Sequence, residues 1–278
     1  MDELYTLVDK HISSIAIPIM LMLENSIDYN GEVFLYNEDE EVAKVITQMF
    51  LAARVSSNSV VKLSKFLDMG SKDCLPIARA VIEGCINITY IMSKGSSAAE
   101  DALAHSIAKG YKKTNTSAGS GRHKINIKRI PEVKKTDYLL KILDRFTSKK
   151  GRSKNWTDQS VPQRIAFIES VFGNKCASGF NTAYLMIYGD ASEIIHGSLA
   201  GAQMGNGSLP FGKRPQDFGD NSHIQNDHIK SALISLYIAV HSALYAFCKY
   251  TNFKQFEYDL DKQFNLFSAY IKNDNNWD

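Results

Sequence analysis

The chain has 278 residues, of which 44% are hydrophobic and 22% are charged, so it is not too polar to form a core and it is long enough for one large domain or two smaller ones. The formal net charge of +2 hides an uneven distribution. Residues 2–68 hold 11 acidic side chains against 5 Lys or Arg, whereas residues 109–154 hold 15 Lys or Arg against 3 acidic side chains. Such a basic stretch is typical of a surface that contacts a polyanion such as nucleic acid, and also of a solvated surface loop.

The apolar residues recur at helical spacing through most of the chain, and no segment shows the alternation typical of strands. Pro18 is expected to kink the first helix or split it in two. Gly70 and Ser71 are expected to end one long helix and cap the next. The predicted helices cover residues 2–25, 38–69, 72–94, 97–113, 131–146, 162–172, 180–201, 228–250 and 253–271.

Two segments interrupt the helical pattern. Residues 114–129 combine Gly and Ser with basic side chains, which predicts a mobile basic loop. Residues 202–225 contain four glycines and two prolines, which predicts a loop that covers the end of the preceding helix as a lid. The prediction is therefore an all-α fold, one domain over 1–278, built as a bundle of about seven to nine helices with a long basic loop region.

The four cysteines form no Cys-x-x-Cys pair, which favours reduced, buried thiols and a cytoplasmic location. The N-terminus begins with acidic residues, and the apolar run from Ile15 to Leu23 contains a proline and is too short to span a bilayer. The sequence analysis therefore predicts no membrane partner.

Two of the apolar helices carry polar stripes with a period of four residues, which places each stripe on one helix face. Buried polar groups need partners, because unpaired burial is costly. We therefore expect the two stripes to face each other. The stripes consist of Arg79, Glu83 and Asn87 on the earlier helix, and of Tyr184, Tyr188, Ser192 and His196 on the later one.

The stripes have two interpretations. In the first, they form a buried hydrogen-bonded network that fixes the register of the helices, and structural networks of this kind are the more common. In the second, His196 transfers a proton and Arg79 binds an anion such as phosphate, while Glu83 and Tyr188 orient them beside Ser192. A third stripe, Tyr237, His241 and Tyr245, is more typical of core packing.

Common motifs for phosphate, zinc or calcium binding are absent, and the histidines, cysteines and carboxylates lack the spacing of metal ligands. The prediction is no cofactor and no metal.

The combination of Arg79-x-x-x-Glu83, Trp156 before a helix, and the Tyr184, Tyr188, Ser192, His196 series resembles the bacterial family DUF5677, over roughly residues 42–200. That family is helical and has no assigned activity. The arrangement is also similar to HEPN-type helical bundles, many of which are metal-independent ribonucleases of toxin–antitoxin and phage-defence systems. The chain departs from their Arg-x4-6-His motif, because Gly189, Asp190 and Ala191 stand where the arginine is expected.

The resulting hypothesis is a metal-independent ribonuclease or nucleotide-directed enzyme of a toxin or phage-defence system. The alternative is a non-catalytic module that binds a protein or a ligand, with the stripes as structural networks. The predicted partners are RNA or another polyanion, and a second copy of the chain or a partner protein. The residues predicted to contact nucleic acid are Lys112, Lys113, Arg122, Lys124, Lys128, Arg129, Lys149, Lys150 and Arg152.

Overall fold

The computed structural model describes residues 1–36, 39–113, 115–128, 134–149, 152–205 and 222–274. Its contacts divide the chain into two compact units. We call residues 1–93 with 161–278 the helical unit and residues 94–160 the basic unit. The all-α helical-bundle prediction is confirmed, since helices make up most of the described chain and only two small two-stranded sheets accompany them. The single domain over 1–278 stays a prediction.

The helical unit contains the longest helices and the larger core. Helix α4 runs one residue past the boundary of this unit. Its helices are α1 (Asp2–Ser13), α2 (Ala16–Glu24), α3 (Glu40–Leu63), α4 (Leu67–Lys94), α7 (Val161–Phe172), α8 (Asn174–His196), α9 (Leu199–Gly205), α10 (Ser222–Thr251) and α11 (Lys254–Asp274).

Helix α10 is the centre of the helical unit. It packs against α1, α3, α8 and α11. Its middle part is mostly apolar and has no exposed side chain between residues 229 and 248, and Leu233, Leu236, Val240, Leu244 and Phe247 are at most 1% exposed. A helix that is hydrophobic all round is stable only when other helices surround it. Helix α8, which carries the long polar stripe, packs along one side of α10.

The N-terminal helix is split as predicted, although the break lies before the proline. Helix α1 ends at Ser13 and α2 begins at Ala16, so Pro18 is the third residue of α2, in the first turn where a missing N–H costs nothing. Strands β1 (Ser26–Tyr29) and β2 (Glu32–Leu35) follow as an antiparallel hairpin. Its turn is Asn30-Gly31, with φ of 56° and 84°, as a type I′ turn requires.

The boundary between α3 and α4 differs from the prediction. Helix α3 ends at Leu63 and α4 begins at Leu67, so Gly70 lies inside α4 and is not a C-cap. At the actual boundary Ser64 is buried, and its hydroxyl donates to the carbonyl oxygen of Val61 at 2.9 Å. Ser64, rather than Gly70, is therefore the residue at which α3 ends.

The basic unit contains α5 (Ser96–Lys113), β3 (Asn115–Ala118), β4 (Ile125–Lys128) and α6 (Asp137–Arg145). Helices α5 and α6 pack through Ala104, Ala108, Ile142 and Phe146. The segment predicted as a loop over 114–129 forms an antiparallel hairpin of β3 and β4. Sequence periodicity gave little sign of this hairpin, because β4 alternates apolar and polar side chains over only four residues and β3 does not alternate.

The predicted lid over 202–225 lies largely outside the described residues. What the structure describes of it is helical: α9 continues to Gly205, and α10 begins at Ser222.

The exclusion of a membrane partner is wrong. Three helical stretches, Asp2–Glu24, Lys72–Lys94 and Ile224–Thr251, are long and apolar enough to cross a membrane, judged by length and composition alone. The prediction considered only the uninterrupted apolar run near Pro18, whereas a helix that includes a few polar side chains also qualifies. The cytoplasmic location stays a prediction.

Candidate functional site

An arginine–glutamate ion pair on α4 lies where the two striped helices meet. Arg79 and Glu83 lie one turn apart on α4, with Nε 3.1 Å from Oε1, and their side chains are 17% and 34% exposed. The Arg79 guanidinium lies over the Tyr188 ring of α8, with Cζ 4.0 Å from the ring centroid. A cation over an aromatic face is attracted by the ring quadrupole. The predicted contact between the two stripes is therefore confirmed.

Tyr184 and Tyr188 extend this contact along α8. Their ring centroids are 4.1 Å apart. Burial raises the pKa of Tyr184 to about 12, and a hydrogen bond to Tyr188 and the Glu83 carboxylate add to the shift. Tyr184 therefore remains a neutral hydroxyl at physiological pH and can donate a hydrogen bond.

The sequence analysis missed a second arginine at this place. Arg164 of α7 is only 9% exposed, and its Nη1 donates to the side-chain oxygen of Asn87, the last member of the α4 stripe. Its Nε is buried and has no hydrogen-bond partner among the described residues. Burial lowers the pKa of the Arg164 guanidinium, while the nearby Glu83 carboxylate opposes that shift.

A weak signal for Arg164 existed in the sequence. It lies four residues before Ile168, which is fully buried, so both share the inward face of α7. One arginine on a short amphipathic helix is normally read as a surface residue, because arginine is seldom fully buried.

We call Arg79, Glu83, Asn87, Arg164, Tyr184 and Tyr188 the arginine cluster. Four of its members, Arg79, Glu83, Tyr184 and Tyr188, line a narrow crevice whose apolar lining is Ile82 and Ile187. The crevice is too narrow in this arrangement for a water molecule. The cluster brings two cations, one carboxylate and two phenols into one place.

The remaining two predicted catalytic residues lie further along α8. Ser192 is half-buried one turn beyond Tyr188, and His196 is exposed at the last position of the helix. His196 is eight residues beyond Tyr188, about 12 Å along a helix axis. The structure thus joins Arg79, Glu83 and Tyr188 but not the proposed acid–base group.

The residues predicted to contact nucleic acid belong to the basic unit, and several are exposed. Arg122 and Lys124 lie in the turn of the β3–β4 hairpin, and Lys113, Lys149 and Arg152 are also exposed, while Lys128 ends β4. Lys112 has a structural contact instead, since its Nζ donates to the carbonyl oxygen of Phe146 at 3.1 Å and to Ser153 Oγ at 3.2 Å. Arg129 and Lys150 lie outside the described residues.

The third stripe contributes to a buried aromatic group rather than to an open site. Tyr237 and His241 are 1% and 4% exposed. They stack with His11 of α1, which the sequence analysis did not single out. His11 occupies the apolar face that Leu4, Val8 and Ile15 define, and this spacing was the available signal.

Within the described residues, no group of three or more His, Cys, Asp or Glu side chains is arranged to hold a metal ion.

Comparison with known proteins gives one match. The model of the family of unknown function DUF5677 matches residues 43–208, more than half of the chain. The chain belongs to the DUF5677 family. The match covers the arginine cluster and His196, so the resemblance noted from the two stripes is confirmed. No curated protein and no solved structure matches the chain.

Proposed function

We propose that the protein is a helical ligand-binding module in which Arg79 and Arg164 hold an oxyanion, with a phosphate ester as the expected class. The observation that carries this proposal is the buried Nε of Arg164, a cationic donor without an acceptor among the described residues. Leaving such a donor unsatisfied costs about 1–3 kcal/mol or more. A bound oxyanion would remove that cost.

The charge of the cluster supports an anionic ligand. Two guanidinium groups share one nearby carboxylate, Glu83, whose Oε1 already accepts from Arg79. The Nη groups of Arg79 donate to no side chain or carbonyl that the structure describes. Planar guanidinium groups bind the oxygens of phosphate in pairs, which a lysine cannot do.

The two phenols favour the same ligand. Tyr184 keeps its proton at neutral pH, so it adds no negative charge beside the two guanidinium groups. The closed crevice requires Tyr188 or Arg79 to move when a ligand binds. Both lie at the edge of the cluster, with Tyr188 half-buried and the Arg79 side chain 17% exposed.

Thermal unfolding with added ligand tests this proposal. We expect inorganic phosphate and nucleoside monophosphates to raise the Tm at constant ionic strength. Arg79→Lys and Arg164→Lys should each require at least a tenfold higher ligand concentration for the same rise in Tm. Lys44→Gln is the matched control, because Lys44 pairs with Glu40 in the same i,i+4 geometry but on an exposed surface. No rise in Tm in the wild-type protein, or an equal rise in all variants, contradicts the proposal.

The second candidate is a metal-independent ribonuclease or nucleotide-directed enzyme of a toxin or phage-defence system. It is supported by the exposure of His196 and by its position on the same helix as Tyr188. In this mechanism His196 transfers a proton at a 2′-hydroxyl or leaving oxygen, Arg79 stabilises the phosphate charge, and Ser192 with Glu83 and Tyr188 orients the groups.

Incubation with total RNA separates the two candidates. If the enzyme hypothesis holds, wild-type protein cleaves RNA, His196→Ala loses the activity by a factor of about 100 or more, and His123→Ala, which changes an exposed histidine of the basic unit, retains it. Cleavage that is absent, or equal in wild type and His196→Ala, leaves the ligand-binding module.

A further inference from the structure

Two buried histidines lie where α1 packs against the core of the helical unit. His11 of α1 is 1% exposed and His241 of α10 is 4% exposed. Their ring centroids are 5.4 Å apart, and His11 also stacks on Tyr237 at 4.2 Å. From α11, Phe264 stacks on His241 at 4.4 Å. Helix α1 is therefore attached to α10 and α11 through a stack of rings.

Most polar atoms in this stack have no partner. His11 Nδ1 bonds to the Gln263 side-chain oxygen at 3.0 Å. Because an amide oxygen accepts, the proton of His11 lies on Nδ1, which leaves Nε2 as an unprotonated acceptor. His11 Nε2, both ring nitrogens of His241 and the Tyr237 hydroxyl have no hydrogen-bond partner among the described residues. Both imidazoles are thus stable in this place only while they are neutral.

Within the described part of the chain, no acidic side chain raises the pKa of either ring. The groups that face His11 are Tyr237, His241 and Gln263, and its pKa is lowered by burial to about 4. The pKa of His241 is lowered by burial first, then by His11 and by the Lys175 ammonium of α8. Lys175 is itself bound to Asp261 of α11 at 2.6 Å. Protonation of His11 and His241 therefore places two positive charges next to each other in an apolar environment.

Residues 2–24, which include the helix that the ring stack attaches to the core, are strongly apolar. Asp2–Glu24 is one of the three stretches long and apolar enough to cross a membrane, and at 44% its apolar window is the least buried of the three. Met20 and Leu23 of α2 are already 44% and 68% exposed. Releasing α1 would add its buried face, which includes Leu4, Val8 and Ile12.

We propose that residues 2–24 form an acid-released segment, which separates from α3, α10 and α11 when His11 and His241 are protonated and then binds the surface of a lipid bilayer. The released segment lies in the interface with its apolar face toward the acyl chains, as amphipathic helices do. The partner follows from composition, since a lipid surface takes up an apolar helix face without matching side chains. This inference does not depend on the proposed ligand site.

The expected size of the effect follows from His11 alone. With a pKa of 6.5 when released and about 4 when packed, acidification from pH 7.5 to pH 4.5 raises the ratio of released to packed segment by about 70-fold. His241 adds to this change in the same direction.

Hydrogen exchange of the wild-type chain at pH 7.5 and pH 4.5 is the first test, and it needs no variant. After correction for the intrinsic rate, residues 2–24 are expected to lose protection at pH 4.5 while α8 and α10 keep theirs. Equal loss of protection in all helices indicates global acid unfolding and overturns the proposal. Unchanged protection of residues 2–24 also overturns it.

Flotation with phosphatidylcholine vesicles is the second test. These vesicles carry no net charge, so the basic unit contributes no electrostatic binding. We expect the wild-type chain to bind at pH 4.5 and not at pH 7.5. The double variant His11→Gln with His241→Phe, which removes both titrating rings, should lose at least tenfold of the acid-induced binding. His123→Gln, a change of an exposed histidine in the basic unit, should bind like wild type. Equal flotation of the double variant and the wild type, or no flotation of either, contradicts the proposal.

Discussion

At the scale of single residues, burial decides the role of each polar side chain. Arg79 and Lys44 both form i,i+4 ion pairs with a glutamate, at 3.1 and 2.9 Å. The Arg79 side chain is 17% exposed and lies over Tyr188, whereas the Lys44 side chain is 53% exposed. Solvent screens an exposed pair and leaves it with little net effect on stability. The same i,i+4 pattern of a basic and an acidic residue is therefore expected to contribute to stability at Arg79 and to contribute little at Lys44.

Removing Arg79 tests this difference. We expect Arg79→Ala to lower the free energy of unfolding by about 1–3 kcal/mol, because it removes the contact with Tyr188 and leaves Glu83 unpaired in a half-buried position. Lys44→Ala should change it by less than about 0.5 kcal/mol. Urea unfolding of both variants provides the measurement, and equal effects would contradict this account.

The pH dependence of stability follows from His11. Its pKa is about 4 in the folded chain and 6.5 in the unfolded chain. The unfolded chain therefore binds more protons below pH 6.5, so the stabilisation is complete above pH 6.5 and is lost as the pH falls toward 4. We expect the free energy of unfolding to be about 2 kcal/mol lower at pH 5 than at pH 7.5 from this residue.

Urea unfolding at the two pH values measures the effect. His11→Phe should reduce the difference by about that amount, whereas His123→Gln should not. A pH dependence that is identical in His11→Phe and wild type would show that other groups are responsible.

At the scale of elements, the close approach of α8 to α10 depends on one glycine. A Cβ atom at Gly179 would lie 2.1 Å from Ser242 Oγ and 3.5 Å from both Ser242 Cβ and Ile238 Cγ2. Only the hydroxyl is too close, because the other two distances are ordinary van der Waals contacts. At this position, Gly179 and Ser242 therefore limit how closely α8 packs on α10.

A double-mutant cycle tests this pair. Gly179→Ala alone should destabilise the chain, since Ser242 Oγ must leave its hydrogen bond to the Ile238 carbonyl oxygen at 2.9 Å. In a Ser242→Ala background, the same change should be neutral or stabilising by up to about 1 kcal/mol, because alanine is the better helix former. The expected coupling is about 1–2 kcal/mol. Additive effects would show that α8 can shift freely on α10.

At the scale of the whole molecule, charge is divided between the two units. Residues 94–160 hold 16 Lys or Arg against 6 Asp or Glu, and the remaining chain holds 16 against 24. The formal charges are therefore +10 for the basic unit and −8 for the helical unit. A polyanion would contact the basic unit first, because the helical unit repels it.

This division predicts salt-dependent binding of RNA. We expect the logarithm of the association constant to fall linearly with the logarithm of the salt concentration, and Arg122→Glu with Lys124→Glu to weaken binding at least tenfold. Lys10→Glu with Lys62→Glu in the helical unit gives the same change in net charge and should have a smaller effect. Fluorescence anisotropy with a labelled single-stranded RNA measures both, and equal weakening would mean that only net charge matters.

The sequence by itself determined the helical class, the family, and the two stripes that meet at Arg79 and Tyr188. These features depend on periodicity within one element, and the side chains of a helix repeat every 3.6 residues wherever the helix packs. The Asn30-Gly31 turn could also be identified, because its φ angles are a local requirement.

Only the tertiary structure decided which polar residues share a site. Arg164 of α7 bonds to Asn87 of the α4 stripe, His196 lies beyond the cluster, and His11 meets His241 across more than 200 residues of chain. Such contacts depend on how α7, α8 and α1 dock on their neighbours, and docking is set by the packing of whole faces rather than by the spacing of any one residue. The α8 stripe thus divides into a half-buried part, Tyr184 and Tyr188, that belongs to the arginine cluster and an exposed end at His196.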